Sequence, residues 1–304
     1  MIKALTITEG RLIACEVEAA QVLVYVNPDE ALRQEIAQRF NIDEHNIVSA
    51  LDPDEVSRLE IEPDHLALIY KRPKNYSTED EFFFRVASTG LFLRKDRLIL
   101  VVNEDISLFD GRQFARIASL NDLVLKLLHR TIFHFIEHLR VINSVSASLE
   151  QQINTSMQNR YLLNLFTLEK SLVYYLNAIN GNRKVIELLT RNAPKLELTA
   201  DNVDFLDDIR IENDQCYQQA EVYSNILASM MDARASIVSN NLNWLMKTLN
   251  IITIAIMVPT LVVSVFSMNV HIPLQEFSWA FWAIIGMSIV SMSLVVGMWW
   301  WRKW

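Results

Sequence analysis

Charge is missing from two long stretches of this 304-residue chain, and most of what the sequence says follows from that absence. No Asp, Glu, Lys or Arg occurs from Thr248 to Val270, nor again from Phe277 to Trp301. As a helix, either stretch is long enough to cross a hydrocarbon layer of about 30 Å, with every backbone group satisfied internally. Glycine is scarce as well. The six, at 10, 90, 111, 181, 286 and 297, are too dispersed to build a phosphate-cradling loop. Cys15 and Cys216 lie far apart, which excludes a disulfide framework or cysteine metal site and suits a reducing compartment. Local sequence suggests no Ser-His-Asp or Cys-His arrangement, so neither an enzyme nor an organic cofactor is expected. Basic charge is in deficit: the net charge is -8, and the part before Trp244 carries about -10, because Lys247, Arg302 and Lys303 outweigh Glu276 in the remainder. That balance argues against a nucleic-acid partner and fits a solvated body able to attract cations. The N-terminus, MIKALTITEGRLIACEVE, lacks an apolar core followed by a small-residue cleavage site, so no signal peptide is expected.

What is present organises around those two stretches. Lys247 precedes the first, Arg302 and Lys303 follow the second, and the segment between has no Lys or Arg. Excess basic charge marks the cytoplasmic side, so both termini are expected in the cytoplasm of a two-span plasma-membrane protein. Trp279 and Trp282 at one end, and Trp299, Trp300, Trp301 and Trp304 at the other, read as interfacial belts.

The first 120 residues alternate between short β-like and helical segments. Val22 to Val26 is a β-branched run, after which Asn27 reads as an N-cap and Pro28 as the first residue of a helix reaching about Phe40. His65 to Tyr70, Phe82 to Ala87, Leu91 to Leu93 and Leu98 to Val102 read as strands, with turns at Gly90 and at Lys95-Asp96. From Leu120 the pattern becomes helical: residues 121–155 and 158–192 predict two long helices, and Pro194 breaks the run. The pattern resumes near Asp201 and meets no interior stop before the first span. That helix would be roughly 100 Å long and would need partners, so oligomerisation is expected. The expected fold class is α+β. Residues 1–120 form a cytoplasmic mixed α/β domain, 121–198 a cytoplasmic helical layer, and 199–268 a stalk entering the first span at about 248–268. Residues 269–276 form an extracytoplasmic loop, 277–301 the second span and 302–304 a basic cytoplasmic tail.

One stripe on the long helix carries the chemistry. Asp232, Ser236, Ser239, Asn243, Met246, Asn250, Thr253, Met257, Thr260, Ser264 and Ser267 follow one another at steps of four and three. Steps averaging 3.5 stay on one helical face. A polar stripe inside an apolar span should face away from lipid. Two readings compete: hydroxyls that bond across a helix pair, or a pore lined by symmetry-related copies. The stripe's length and its exit at an Asn-bearing loop favour the pore. Neutral oxygens and amides suit a cation that keeps its water, as Mg²⁺ does. Met246, Met257 and Leu249 would supply apolar constrictions.

With the long helix, Met257-Val258-Pro259-Thr260 in the first span, Met268-Asn269 at its outer end, Lys247-Thr248-Leu249 at its inner end and a basic-aromatic tail, the chain resembles the CorA-type divalent-cation transporters. The likeness covers the whole chain in architecture and is specific in the last 65 residues or so. It implies a homopentameric funnel that transports divalent metal ions, Mg²⁺ foremost, through a pore lined by the first span. The family's Gly-Met-Asn signature reads Ser267-Met268-Asn269 here. By resemblance, Asn269 would capture hydrated Mg²⁺ at the outer mouth and Asn243 would form a polar inner ring. Met246 and Leu249 would gate, and Met257 and Thr260 would line the middle, with Thr253 and Ser264 on the same stripe. The resemblance turns Leu249 to the axis, whereas the stripe turns the adjacent Asn250 there. In the family, inter-subunit carboxylates bind regulatory Mg²⁺; Asp208 and, on the stripe, Asp232 are the matching candidates, beside the plainer reading of Asp208 as a solvated helix start. If the signature glycine is left-handed, Ser267 would cost on the order of 1 kcal/mol. Glu276 is the one acidic residue of the loop, with His271 nearby, so a Zn²⁺, Co²⁺ or Ni²⁺ transporter remains an alternative, as does a non-conducting scaffold. His129, His134 and His138 share a helix, and His134 with His138 has metal-pair spacing. Packed or solvated histidines are the favoured reading of all three.

Overall fold

The β-branched runs of the N-terminal region fold as strands. The structure, a computed structural model describing residues 1–76, 82–155, 159–268 and 277–302, contains two compact units, Met1–Ser229 and Met230–Trp304. The first holds strands β1 (Ile2–Thr8), β2 (Arg11–Ala14), β3 (Val22–Val26), β4 (Arg58–Ile61), β5 (Leu66–Pro73), β6 (Val86–Leu93) and β7 (Leu98–Val102). They form one sheet in the order β2-β1-β3-β7-β6-β5-β4. The β3–β7 pair is parallel and the other pairs are antiparallel, which makes the expected mixed sheet. Helices α1 (Glu30–Phe40) and α2 (Glu44–Ser49) cover one face, where Ile36, Phe40 and Ile47 pack with Leu23, Tyr25, Ala67 and Phe92. Helices α3 (Leu120–Thr155) and α4 (Asn159–Asn192) lie against β5 from the other face.

Helix α5 (Ala200–Phe266) contributes its N-terminal part to this unit. Leu206, Ile209, Asn213, Cys216, Ala220 and Leu227 are buried at helical spacing. His129 Nε2 on α3 lies 2.9 Å from Glu212, and Arg183 on α4 lies 3.1 Å from Asp214. The second unit holds the rest of α5 and helix α6 (Ala280–Arg302).

Several local expectations need correction. The cap of α1 is Asp29, whose carboxylate accepts from Leu32 N at 2.9 Å, not Asn27; Asn27 has φ 43° and ends β3. Gly90 is not a turn. The segments expected as two strands from Phe82 and from Leu91 are a single strand, β6, that passes through Gly90. A Cβ on Gly90 would lie 2.3 Å from that of Ala50, so the glycine is needed for the close approach of the chain just after α2, not for chain reversal. Phe82 to Phe84 precede the strand; Phe84 is buried, and its N–H donates to Ser171 Oγ on α4. The β1–β2 hairpin was not expected at all. Its two-residue turn, Glu9-Gly10, has positive φ at both positions, the geometry that matches strand twist.

Two glycine- and amide-mediated contacts hold α4 to the sheet. β4 pairs with β5 from Leu66 to Ile69 and no further, so the next outward-facing rung, at Lys71, lacks a strand partner. Asn182 on α4 replaces it: Lys71 N donates to Asn182 Oδ1 at 2.8 Å, and Asn182 Nδ2 donates to Lys71 O at 2.7 Å. Ser57 Oγ also donates to Asn182 Oδ1, at 3.1 Å. Neighbouring Gly181 permits this approach, because a Cβ there would lie 2.9 Å from Ser57 Oγ.

The histidines of α3 are packed. His134 and His138 rings stand 4.5 Å apart, and His138 Nδ1 lies 2.6 Å from Tyr175 Oη. Burial lowers the pKa of His134 to about 3, helped by the positive charges of His138, Arg130 and Arg72; burial alone lowers that of His138 to about 4. Both are therefore neutral at physiological pH. Among the described residues no group of three His, Cys, Asp or Glu side chains is placed to hold a metal.

Two outcomes follow for the full-length protein in detergent. Replacing Asn182 by Ala strands a buried N–H and a buried carbonyl on Lys71 and should lower the unfolding free energy by about 2 kcal/mol or more in denaturant titrations; an unchanged midpoint would refute the role. The histidine pair binds fewer protons folded than unfolded between pH 6.5 and about 4, so its contribution to stability is lost as pH falls through that window. A His134→Asn variant should therefore show a shallower loss of stability from pH 6.5 to 4 than wild type, and equal slopes would contradict the buried neutral state.

Candidate ion pathway

The second unit supplies two helices long and apolar enough to cross a membrane, in α5 and α6. Their exposure is not uniform. On α5 the partly covered positions are Thr248, Ile251, Val258, Pro259, Val262 and Phe266, and Ala255 is only 7% exposed. On α6 they are Ala280, Ala283, Ile284, Ile285, Ser288, Ser291 and Val295. Both sets recur at helical spacing, one stripe per helix. Stripes of this kind are what two helices packed side by side show, and we take them as the faces that α5 and α6 turn to each other.

The polar stripe is elsewhere. At 100° per residue, Thr253, Met257, Thr260, Ser264 and Ser267 centre roughly 170° from the covered face of α5. All five are exposed, as are Asn243, Met246 (59%) and Leu249 (58%). Among the described residues nothing in the same chain covers the stripe, which argues against reading it as glue within the hairpin. Leu249 and Asn250 lie about equally to either side of the line opposite α6. Both are exposed, so each borders the same open face.

Hydroxyl geometry adds a property that residue types alone do not give. Thr253 Oγ1 donates to Leu249 O at 2.8 Å, Thr260 Oγ1 to Ile256 O at 2.7 Å and Ser267 Oγ to Val263 O at 2.7 Å. Each proton is spent on the backbone one turn earlier, so what the hydroxyl turns outward is lone pairs. At 253, 260 and 267 the stripe therefore presents acceptors. Acceptors are what the outward-pointing hydrogens of a hydrated cation require.

The outer end is described only to Met268. α5 stops at Phe266, Ser267 N donates to Ser264 O at 3.1 Å, and Met268 is exposed. Ser267 is not among the non-glycine residues with positive φ, so the anticipated left-handed strain does not arise. Asn269, His271 and Glu276 lie outside the described residues. Pro259 sits inside the helix and removes the donor that Ala255 O would otherwise use, on the side turned to α6. Asp208, in the first unit, is exposed, while its neighbour Asp207 pairs with Arg210 at 2.7 Å. Asp232 is exposed, and its backbone carbonyl accepts from Ser236.

Known proteins resemble this chain in sequence and fold. Residues 21–303 match the model of the family described as CorA-like Mg2+ transporter protein. The cobalt/magnesium transport protein CorA of Methanocaldococcus jannaschii is 24% identical over 287 residues, which cover 90% of this chain and 87% of that protein. The complete structure of the M. jannaschii CorA magnesium transporter superposes with a TM-score of 0.81 at 22% identity, covering 98% of this chain and 96% of that one. The structure of full-length CmaX does so with a TM-score of 0.71 at 16% identity, covering 99% and 95%. With two helices long and apolar enough to cross a membrane, the mixed sheet and a family match over nearly its whole length, the chain belongs to the CorA-like Mg2+ transporter family, a family of divalent-cation transporters rather than enzymes.

Proposed function

We propose that this protein is a homopentameric channel that conducts hydrated Mg²⁺ down its electrochemical gradient, with the uncovered stripe of α5 lining the pore. The observation that carries this reading is the position of the stripe, exposed and opposite the face that meets α6. Left facing lipid, its hydroxyls and amides would be costly. Turned inward in a ring of copies, they line an aqueous path, and α6 becomes the lipid-facing belt anchored by its tryptophans and the basic tail. Asn243 forms an inner polar ring. Met246 and Leu249 constrict the path with side chains that gate by dewetting, Met257 narrows it further out, and Thr253, Thr260 and Ser264 present acceptors between. The loop bearing Ser267, Met268 and Asn269 forms the outer mouth, where the Asn269 ring receives the ion's water shell. Both termini lie in the cytoplasm, residues 1–120 and 121–198 form the cytoplasmic body, and Asp208 and Asp232 bind regulatory Mg²⁺ between subunits.

Energetics require no nucleotide. A potential of 100 mV adds about 2.3 kcal/mol per elementary charge, hence about 4.6 kcal/mol for a divalent ion, a gradient on the order of 10³-fold.

Proteoliposomes with a negative interior should therefore accumulate Mg²⁺ without ATP, and Asn269→Ala should abolish the uptake; undiminished flux in that variant would remove Asn269 from the pathway. A panel of Mg²⁺, Co²⁺, Ni²⁺ and Zn²⁺, with wild type beside Ser267→Gly, assigns selectivity. Absence of flux for every metal would favour a non-conducting scaffold. In a second measurement, cysteines placed at Thr253 or Thr260 should react with a water-soluble thiol reagent in the bilayer, whereas one at Ala255 should not. Equal protection at all three would place the stripe against protein or lipid.

A further inference from the structure

Ion conduction leaves unused a cavity of about 400 Å³ in the first unit, between the β5 end of the sheet and α3. Its walls bring together residues far apart in sequence: Arg72 at the end of β5, Asn75 just beyond, Ser107 in the segment after β7, and Arg130 and His134 on α3. Arg72 is 4% exposed. Its Nη2 donates to Asn103 Oδ1 at 3.1 Å and Glu104 Oε1 at 3.0 Å, and its Nη1 to Pro73 O at 3.2 Å. Its Nε is buried with no partner. An unpaired donor on a buried guanidinium is unfavourable, and it marks Arg72 as a cation whose present partners do not use all of its donors.

Across the cavity, Arg130 meets Glu137 at 3.4 Å, long for a charge-assisted pair, and its remaining donors have no partner among the described residues. The nearby carboxylates are mostly engaged. Glu104 is shared by Arg72 and Lys74, Asp105 pairs with Lys3, and Asp110 stands exposed at the rim. The same field acts on His134, whose low pKa owes part of its shift to the charges of Arg130 and Arg72. A metal cation at the His134–His138 pair would meet those two guanidiniums and find His138 Nδ1 occupied by Tyr175. Negative charge is the complementary partner.

We propose that this cavity binds a small phosphate-bearing molecule, its phosphate held between Arg72 and Arg130, with the neutral His134, Asn75 and Ser107 as further hydrogen-bonding groups. Guanidinium forks match phosphate oxygens in geometry as well as charge. Ile106, Leu108 and Leu127 complete the lining with apolar surface. With a volume in the range of small-molecule sites, the cavity has room for an organic group beside the phosphate. The inference is independent of the ion pathway, because no residue of α5 or α6 takes part.

Calorimetric titration of the full-length protein in metal-free detergent buffer with inorganic phosphate, pyrophosphate, AMP and ADP tests it. At least one should bind with saturable heat, and Arg130→Gln should weaken that binding tenfold or more while Arg130→Lys retains most of it. Tighter binding of AMP or ADP than of inorganic phosphate identifies an organic ligand; equal binding identifies the phosphate group alone. Should Arg130→Gln fail to assemble, Ser107→Ala, at an exposed position, should still weaken binding several-fold. No heat from any of the four, or affinities unchanged in the variants, would overturn the proposal.

Discussion

A hydroxyl or amide inside a hydrocarbon layer has to find a partner, and that requirement organises this protein. The α5–α6 hairpin satisfies most of its backbone within its helices, Pro259 excepted, and its partly covered stripes are of mostly small and aliphatic residues. It leaves the polar stripe of α5 unmatched. In the proposed assembly, copies of the chain complete it by turning that stripe to water. The soluble unit has no such deficit, since its sheet is covered on both faces.

In the proposed pore, the direction of the hydroxyl protons decides what the water-filled face can hold. Threonine and serine are ambivalent in general, able to give or accept. Here Thr253, Thr260 and Ser267 give to their own helix. What remains at these positions is acceptors without formal charge, which in the proposed pore would support an ion wrapped in water without stripping it and without binding it tightly enough to stop it. Fixed carboxylates at the same positions would hold a divalent ion far more strongly. The acidic residues instead precede the first charge-free stretch, with Glu276 alone between the two.

Much of this was legible from residue order because membrane spans and long helices are written in local periodicity. The ends of α3, α4 and α5 lie within a residue or two of where charge, Pro194 and the apolar pattern put them. The stripe was legible for the same reason. What local reading missed depended on contacts between distant residues. Gly90 looks like punctuation until Ala50 is seen pressed against it, and nothing near Asn182 announces that it serves Lys71. The Glu9-Gly10 hairpin was within reach, since alternating residues flank a glycine, but a charged first turn residue masked the signal. Arg72 and Arg130 share a cavity only because α3 crosses the end of β5. Which face of α5 met α6 could not be known before α6 had a fixed rotation.

The amide of Asn182 has a consequence for how copies of the chain meet. A sheet edge with free N–H and C=O groups is a template for another strand, and β4 is too short to shield β5 along its whole length. By occupying the next rung with a side chain from α4, the fold closes that margin to intermolecular strand addition. A neighbouring copy is thereby kept from adding a strand at Lys71, and β4, four residues long, is only a short template at this edge.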